Sequence, residues 1–291
     1  MANLLKYCLS LWLLLSLSSC YEFSSETYHH LTQDEKRRMS ADYTQLAKRL
    51  ERGSSKNMRL LEKAVRINPD NDLAWRELSL PYLYSGQLEQ WNYHMEKAIK
   101  LNPQAWQGWR GYQKLFFFRD YSGALFDFDA TDTLTVGKTD YAQNISVDYL
   151  RGLSYLGLKD YERAIEYFQK YIDDETKKSG AKYVDETAFL YLGIIANHEN
   201  KYERAINYFN RAEKYETSNA DIDYHKAKAL LHIGKIAEAE DLLMEARKKF
   251  KDDKYMYQYY YEAIEQIYLS DLNSLEANIK INYRKALLTA S

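Results

Sequence analysis

The chain has 291 residues, of which 46% are hydrophobic, 28% charged and 15% aromatic. Glycine and proline number only 11 and 3, far below the usual share, which excludes collagen-like, glycine-rich and many-turned β chains. The formal net charge of −2 gives no basic footprint for nucleic acid, so no nucleic-acid partner is expected. What remains is a mostly helical chain with short connections and an excess of tyrosine, 28 in all.

The N-terminus reads as an address. Lys6 is followed by an apolar run from Leu9 to Leu17, too short to span a bilayer. It ends in Leu17-Ser18-Ser19-Cys20, which resembles the lipobox of bacterial lipoproteins. The resemblance implies a signal peptide over residues 1–19 and lipidation of Cys20 as the first mature residue. The two cysteines are Cys8, inside the removed segment, and Cys20. With Cys20 acylated, no thiol is left for a disulfide, metal or redox site. Tyr21 stands where an aspartate would resemble an inner-membrane retention signal, so the expectation is a lipid-anchored protein of the cell envelope, at the outer membrane. Residues 20–37 are polar and read as a tether, with His29 and His30 as exposed linker residues.

Beyond the tether the sequence repeats itself. Tyr161-Glu-Arg-Ala-Ile-Glu-Tyr-Phe168 returns 41 positions later as Tyr202-Glu-Arg-Ala-Ile-Asn-Tyr-Phe209, with seven of eight residues identical. A weaker copy, Tyr121-Ser-Gly-Ala-Leu-Phe-Asp-Phe128, lies 40 positions earlier. Ala64-Val-Arg-Ile-Asn-Pro69 recurs as Ala98-Ile-Lys-Leu-Asn-Pro103, offset by 34, and Ala205, Phe209 and Ala212 return as Ala239, Leu243 and Ala246. Trp75, Leu78, Ser79 and Tyr82 follow the pattern W-x2-L-G-x2-Y, with Arg151 departing at the leucine place of another copy. This pattern resembles the tetratricopeptide repeat family. The resemblance implies an all-α, right-handed solenoid of helix-turn-helix repeats over residues 38–253. The stretch from Arg110 to Thr135 is also similar to tetratricopeptide lipoproteins of Bacteroidota.

The columns have a physical basis. A small residue at Gly152, Gly193 or Ala227 lets the second helix of its own repeat approach closely, and the second-helix alanines Ala164, Ala205 and Ala239 accept large rings of the neighbour. Helix pairs are expected at 38–71, 72–105, 106–138, 145–178, 186–219 and 220–253, the first with a degenerate first helix. Trp75 and Trp109 fall in packing columns. Three consecutive phenylalanines, Phe116 to Phe118, cannot all face one side of a helix. Pro81 inside a first helix predicts a bend. Two stretches exceed the period, around Thr131–Asn144 and Asp173–Asp185, and read as surface loops on one edge. Residues 254–291, opening on Tyr255-Met-Tyr-Gln-Tyr-Tyr-Tyr261, read as C-terminal capping helices, with the tyrosines as packing or docking surface.

No H-E-x-x-H, G-x-S-x-G or phosphate-binding glycine motif is present, so no catalytic residue, metal or cofactor is expected. Asp127, Asp129 and Asp132 fail the spacing of a calcium loop. In tetratricopeptide proteins first helices line the groove. On that register a partner-binding groove is expected from Arg76, Arg110 and Lys114, a basic group suited to an acidic or carboxylate-ending peptide, and from Tyr149, Asn197, His198, Tyr224, Lys228 and His232. The leading reading is a lipid-anchored scaffold that binds an envelope protein or peptide segment and touches the membrane through its N-terminal lipid. The alternative is an accessory glycan-binding lipoprotein using exposed aromatic residues.

Overall fold

The computed structural model describes residues 28–135, 140–214 and 219–290. Cys20, the apolar run before it and the tether up to residue 27 lie outside the described residues. The described chain is all-α apart from one two-residue hairpin, and it divides into two compact units, Met1–Pro103 and Gln104–Ser291.

The first unit holds two helix pairs: α1 (Gln33–Lys48) with α2 (Ser55–Ile67), and α3 (Asp72–Tyr84) with α4 (Leu88–Leu101). Thr32 starts α1 with a capping box, its hydroxyl accepting the Glu35 amide while the Glu35 carboxylate accepts the Thr32 amide at 2.8 Å. Thus α1 begins five residues before the expected boundary. Its degeneracy has a cause. The buried positions are Ser40, Thr44 and Ala47 instead of large apolar residues. Ser40 donates to the Ala64 carbonyl at 2.8 Å, and the Asn71 amide donates to the hydroxyls of Ser40 and Thr44. This seam is held by satisfied polar groups, which carry no hydrophobic periodicity. Leu61, Ala64, Ala74 and Leu78 form the apolar part.

One expectation is corrected here. Trp75 is half-buried, stacked on His94 with its indole N–H donating to the Pro69 carbonyl at 2.8 Å, whereas Trp91, on the second helix, is 1% exposed. Helix α3 runs through Pro81 to Tyr84 without a break. The proline forgoes only the one bond its amide would donate to the Glu77 carbonyl, and a Cβ at Gly53 would meet its ring at 3.4 Å.

The second unit continues the pairs: α5 (Pro103–Gln113) with α6 (Tyr121–Leu134), α7 (Val147–Gly157) with α8 (Tyr161–Ser179), α9 (Glu186–His198) with α10 (Tyr202–Ala212), and α11 (Ala220–His232) with α12 (Ile236–Lys251). The stretch after α12 is not a helical pair. Residues 254–268 carry no regular helix or strand, and one helix follows, α13 (Leu269–Ala290), packed on α12. The three-phenylalanine conflict is resolved by a wide turn. Lys114–Phe118 is π-helical, which buries Phe116 and half-buries both Phe117 and Phe118. Trp109 is half-buried, edge-on to Trp106.

The two insertions take different forms. The first makes a hairpin of β1 (Tyr141–Ala142) and β2 (Ile145–Ser146), in antiparallel register with Tyr141 opposite Ser146. Its tip residues Gln143 and Asn144 are both left-handed, as a tight hairpin turn requires. The second lengthens α8 to 19 residues, after which Gly180, at φ +100°, turns the chain into a short 3-10 turn, Ala181–Tyr183.

Arg151 explains its departure from the repeat pattern. Its side chain is 3% exposed and meets Asp148 at 3.0 Å, Asp129 at 3.1 Å, Asp132 at 2.8 Å and the Phe128 carbonyl at 2.8 Å. A guanidinium with that many acceptors replaces the usual leucine without an unpaired buried charge.

The pairs lock through one recurring contact. A Cβ placed on Gly111, Gly152 or Gly193 would sit 2.6, 2.8 or 2.3 Å from the ring of Phe128, Phe168 or Phe209 respectively. Each phenylalanine of a second helix therefore rests on the bare backbone of its own first helix. Ala124, Ala164, Ala205 and Ala239 are fully buried on those second helices. In an exposed helix Gly→Ala gains about 1 kcal/mol. Gly193→Ala should instead destabilise by about 1–3 kcal/mol through overpacking. Urea unfolding measures this, and adding Phe209→Leu should recover part of the loss.

Candidate functional site

The face made by the first helices α5, α7, α9 and α11 is not an open groove. The segment between α12 and α13, residues 254–268, lies against it. The Lys254 carbonyl accepts the Ala220 amide at 2.8 Å, and the Met256 amide donates to the Asp221 carboxylate at 2.7 Å. The Tyr261 ring stacks on Phe116 at 4.5 Å and meets Phe117 edge-on, while its hydroxyl bonds that of Tyr112 at 3.0 Å. Arg119 donates to the Glu262 carbonyl at 2.5 Å, and the Tyr191 hydroxyl donates to the Ile264 carbonyl at 3.2 Å. Ile264 and Ile267 are buried. The segment is bound mainly through its own backbone, as an extended peptide would be.

The expected groove residues are redistributed by this arrangement. Arg76 lies in the first unit and pairs with its neighbour Glu77 at 2.5 Å. Arg110 forks onto both oxygens of Asp127, at 2.6 and 2.9 Å, and Lys114 meets the same carboxylate at 2.9 Å. Asp127 is fully buried and also accepts from Gln107 at 2.6 Å. Arg110 and Lys114 are thus drawn onto one buried carboxylate instead of standing free on the first-helix face. Sequence reading missed Asp127 as a partner because its burial depends on packing between helices.

Of the remaining residues, Asn197 is buried and donates to the His225 carbonyl at 2.9 Å. His198 stacks on Tyr161 and bonds Glu265 of the segment at 3.1 Å, which holds the Glu265 carboxyl below its usual value. Tyr224 lies edge-on to His225, and burial pushes its hydroxyl up to about 12. His232 is exposed and stacks on Tyr202 at 4.4 Å. Burial, then the nearby charge of Lys228, holds His232 below its ordinary value. Tyr149 is aimed elsewhere, into a cleft.

That cleft has a volume of about 520 Å³ and lies wholly within the second unit. Tyr149, Tyr171 and Tyr191 line it, with Tyr149 5.3 Å from Tyr171 and 6.3 Å from Tyr191, centroid to centroid. The Tyr149 hydroxyl bonds Thr187 at 2.6 Å, and Tyr171 accepts the Asp185 amide at 3.2 Å. Burial pushes the Tyr171 hydroxyl up to about 12 and raises those of Tyr149 and Tyr191, so all three stay neutral. Phe116 and Tyr261 close one end. Among the described residues no group of three or more His, Cys, Asp or Glu side chains could hold a metal ion, and no helix is long and apolar enough to cross a membrane.

Comparison with known proteins identifies the repeats. Residues 149–218 match one tetratricopeptide repeat family model and residues 196–259 match another. This stretch is built of tetratricopeptide repeats. The fold resembles PilW, described as a widely conserved type IV pilus biogenesis factor, with a TM-score of 0.57 at 17% identity over 76% of this chain and 96% of that chain. It also resembles a tetratricopeptide repeat protein from Parabacteroides merdae, with a TM-score of 0.56 at 18% identity over 86% of each chain. PilF of Pseudomonas aeruginosa gives 0.54 at 18% identity, over 75% of this chain and 99% of that chain. No curated protein sequence matches significantly.

Two buried titratable groups fasten the segment to α11 and give it a pH dependence. Burial holds His225 down to about 3 from 6.5, and pushes Asp221 up to about 6 from 3.8 against the pull of the Met256 and Ile267 amides. A histidine depressed in the fold contributes stability that is full above its unfolded value and is lost as pH falls toward its folded one. A raised aspartate acts oppositely: its contribution is full below the unfolded value and is lost as pH rises through about 6. His225→Gln should therefore flatten the acid side, removing about 2 kcal/mol of the stability lost between pH 7 and pH 5. Urea midpoints measured across that range check it, and the histidine account fails if wild type and variant run parallel.

Proposed function

We propose that the chain is a lipid-anchored scaffold of the bacterial envelope, attached through Cys20 and docking a protein or peptide segment on its C-terminal unit. The anchor reading rests on the order Lys6, apolar run, small residues and Cys20, together with the lack of any other cysteine after the cleavage point. Several acyl chains, at about 0.8 kcal/mol per buried CH2, suffice for stable membrane attachment. Tyr21 favours the outer membrane.

The docking reading rests on one observation above the others. On the segment laid over the first helices, Tyr257, Tyr259 and Tyr260 are 57%, 79% and 63% exposed. A chain that needed these tyrosines only for packing would bury them. Tyrosine presents a large amphipathic surface at low entropy cost, which is why it is enriched at interfaces. Tetratricopeptide repeats are protein-binding modules, which supports a protein partner. That PilW is named a pilus biogenesis factor is a property of that protein. Here it adds weight to a partner within an envelope assembly.

Two measurements on cells making the tagged protein test the proposal. Wild type should incorporate labelled palmitate and partition with membranes, and Cys20→Ala should do neither. A photo-crosslinker placed at Tyr259 should capture one defined envelope protein, and Tyr260→Ala should weaken that capture. An unlabelled wild type would sink the anchor. Capture of only abundant, unrelated proteins would sink the docking surface.

A further inference from the structure

The sequence leaves its 34-residue period in three places: Thr131–Asn144, Asp173–Asp185 and the segment after Lys254. In the fold all three border the same cleft. The first contributes Tyr141 and Asn144 from the hairpin, the second Glu175 and Lys178 from the overlong end of α8, the third Tyr257 and Gln258. Helix pairing needs neither the hairpin nor the long end of α8, since α9 with α10 and α11 with α12 pair without such additions, whereas the segment after Lys254 also packs on the first helices. Three independent departures converging on one cavity make it a built site.

The chemistry of the walls narrows the ligand. Tyr141 and Tyr257 are 45% and 57% exposed, so ring surface is uncovered at the mouth. Lys178 is engaged: its ammonium donates to the Tyr141 hydroxyl at 2.6 Å and lies 4.7 Å from the ring centroid. Asp185 is engaged as the cap of α9, accepting the Thr187 amide at 2.9 Å. Among the described residues Asn144, Glu175 and Gln258 have no hydrogen-bond or ion-pair partner. The cleft therefore offers aromatic faces, three planar hydrogen-bonding groups and little net charge. A phosphate-bearing ligand would meet two carboxylates, Glu175 and Asp185, against a single lining cation, Lys178. A purely apolar ligand would bury three polar groups without partners, at about 1–3 kcal/mol each. A neutral sugar satisfies both demands, because a pyranose presents C–H bonds on its faces and vicinal hydroxyls at its edge. The volume of about 520 Å³ lies within the range of small-ligand sites.

We propose that this cleft binds a neutral oligosaccharide, with sugar rings seated on Tyr141 and Tyr257 and hydroxyls held by Asn144, Glu175 and Gln258. The site shares Tyr257 with the exposed row, but Tyr259 and Tyr260 do not line it. It stands whether or not the docking reading holds.

Isothermal titration of the full-length protein in a sugar-free detergent tests the proposal. The probes are cellohexaose, xylohexaose, mannohexaose and chitohexaose, with a synthetic peptide of residues 255–265 as rival. At least one hexasaccharide should bind. Tyr257→Ala and Glu175→Gln should each weaken it by about tenfold or more. Tyr259→Ala should leave it unchanged, and all three variants should melt with wild type. The proposal is overturned if no hexasaccharide binds, if binding survives both cleft substitutions, or if only the peptide binds in a Tyr257-dependent way.

Discussion

A phenylalanine ring resting on a helix that has no side chain beneath it is the contact on which the rest depends. Phe128, Phe168 and Phe209 each occupy the space that a Cβ on Gly111, Gly152 or Gly193 would claim. The contact brings the two helices of a pair together and fixes how far each can slide past the other. With that distance set, Ala124, Ala164 and Ala205 of the second helices are fully buried in one continuous core. The turn inside each pair follows suit. Gly53, Gly86, Arg119, Lys159, Asn200 and Gly234 are all left-handed at the equivalent place, although only three are glycines. Tertiary packing holds the other three in a conformation their side chains disfavour.

Because the pairs are locked, what lies outside them is directed to fixed places. The hairpin and the long end of α8 emerge beside one cleft, and the segment after α12 has only the first-helix face to cover. That segment gives partners to groups that would otherwise be stranded. Asp221 receives the Met256 amide, Tyr191 reaches the Ile264 carbonyl, and His198 meets Glu265. The usual partner surface of such a repeat is thereby reduced from a long groove to a single tyrosine-lined cleft and an outer row of exposed tyrosines.

Much of this was legible in the residues. The duplicated Tyr-Glu-Arg-Ala-Ile stretch set the period, and the boundaries of five of the six pairs fell close to the helices observed. Small-to-large pairing at Gly152 and Gly193 was readable because both partners recur at fixed offsets. The candidate site was less legible. Arg110 and Lys114 look like free cations on a first helix, yet both turn to the buried Asp127. The insertions read as surface loops on one edge, but nothing local says that residues 141, 175 and 257 border one cleft. The three adjacent phenylalanines posed a conflict that a regular α-helix could not answer, and a π-turn answered it.

The sequence by itself determined the repeat: its period, its helix pairs and the small columns that let them close, because each is a local pattern of size and polarity imposed by 3.6 residues per turn. Its first twenty residues also resemble a lipoprotein signal. Only the tertiary structure decided which charges neutralise each other, what covers the first-helix face and where the three irregular segments meet. Those outcomes depend on distances between residues far apart in the chain, and no periodicity encodes them.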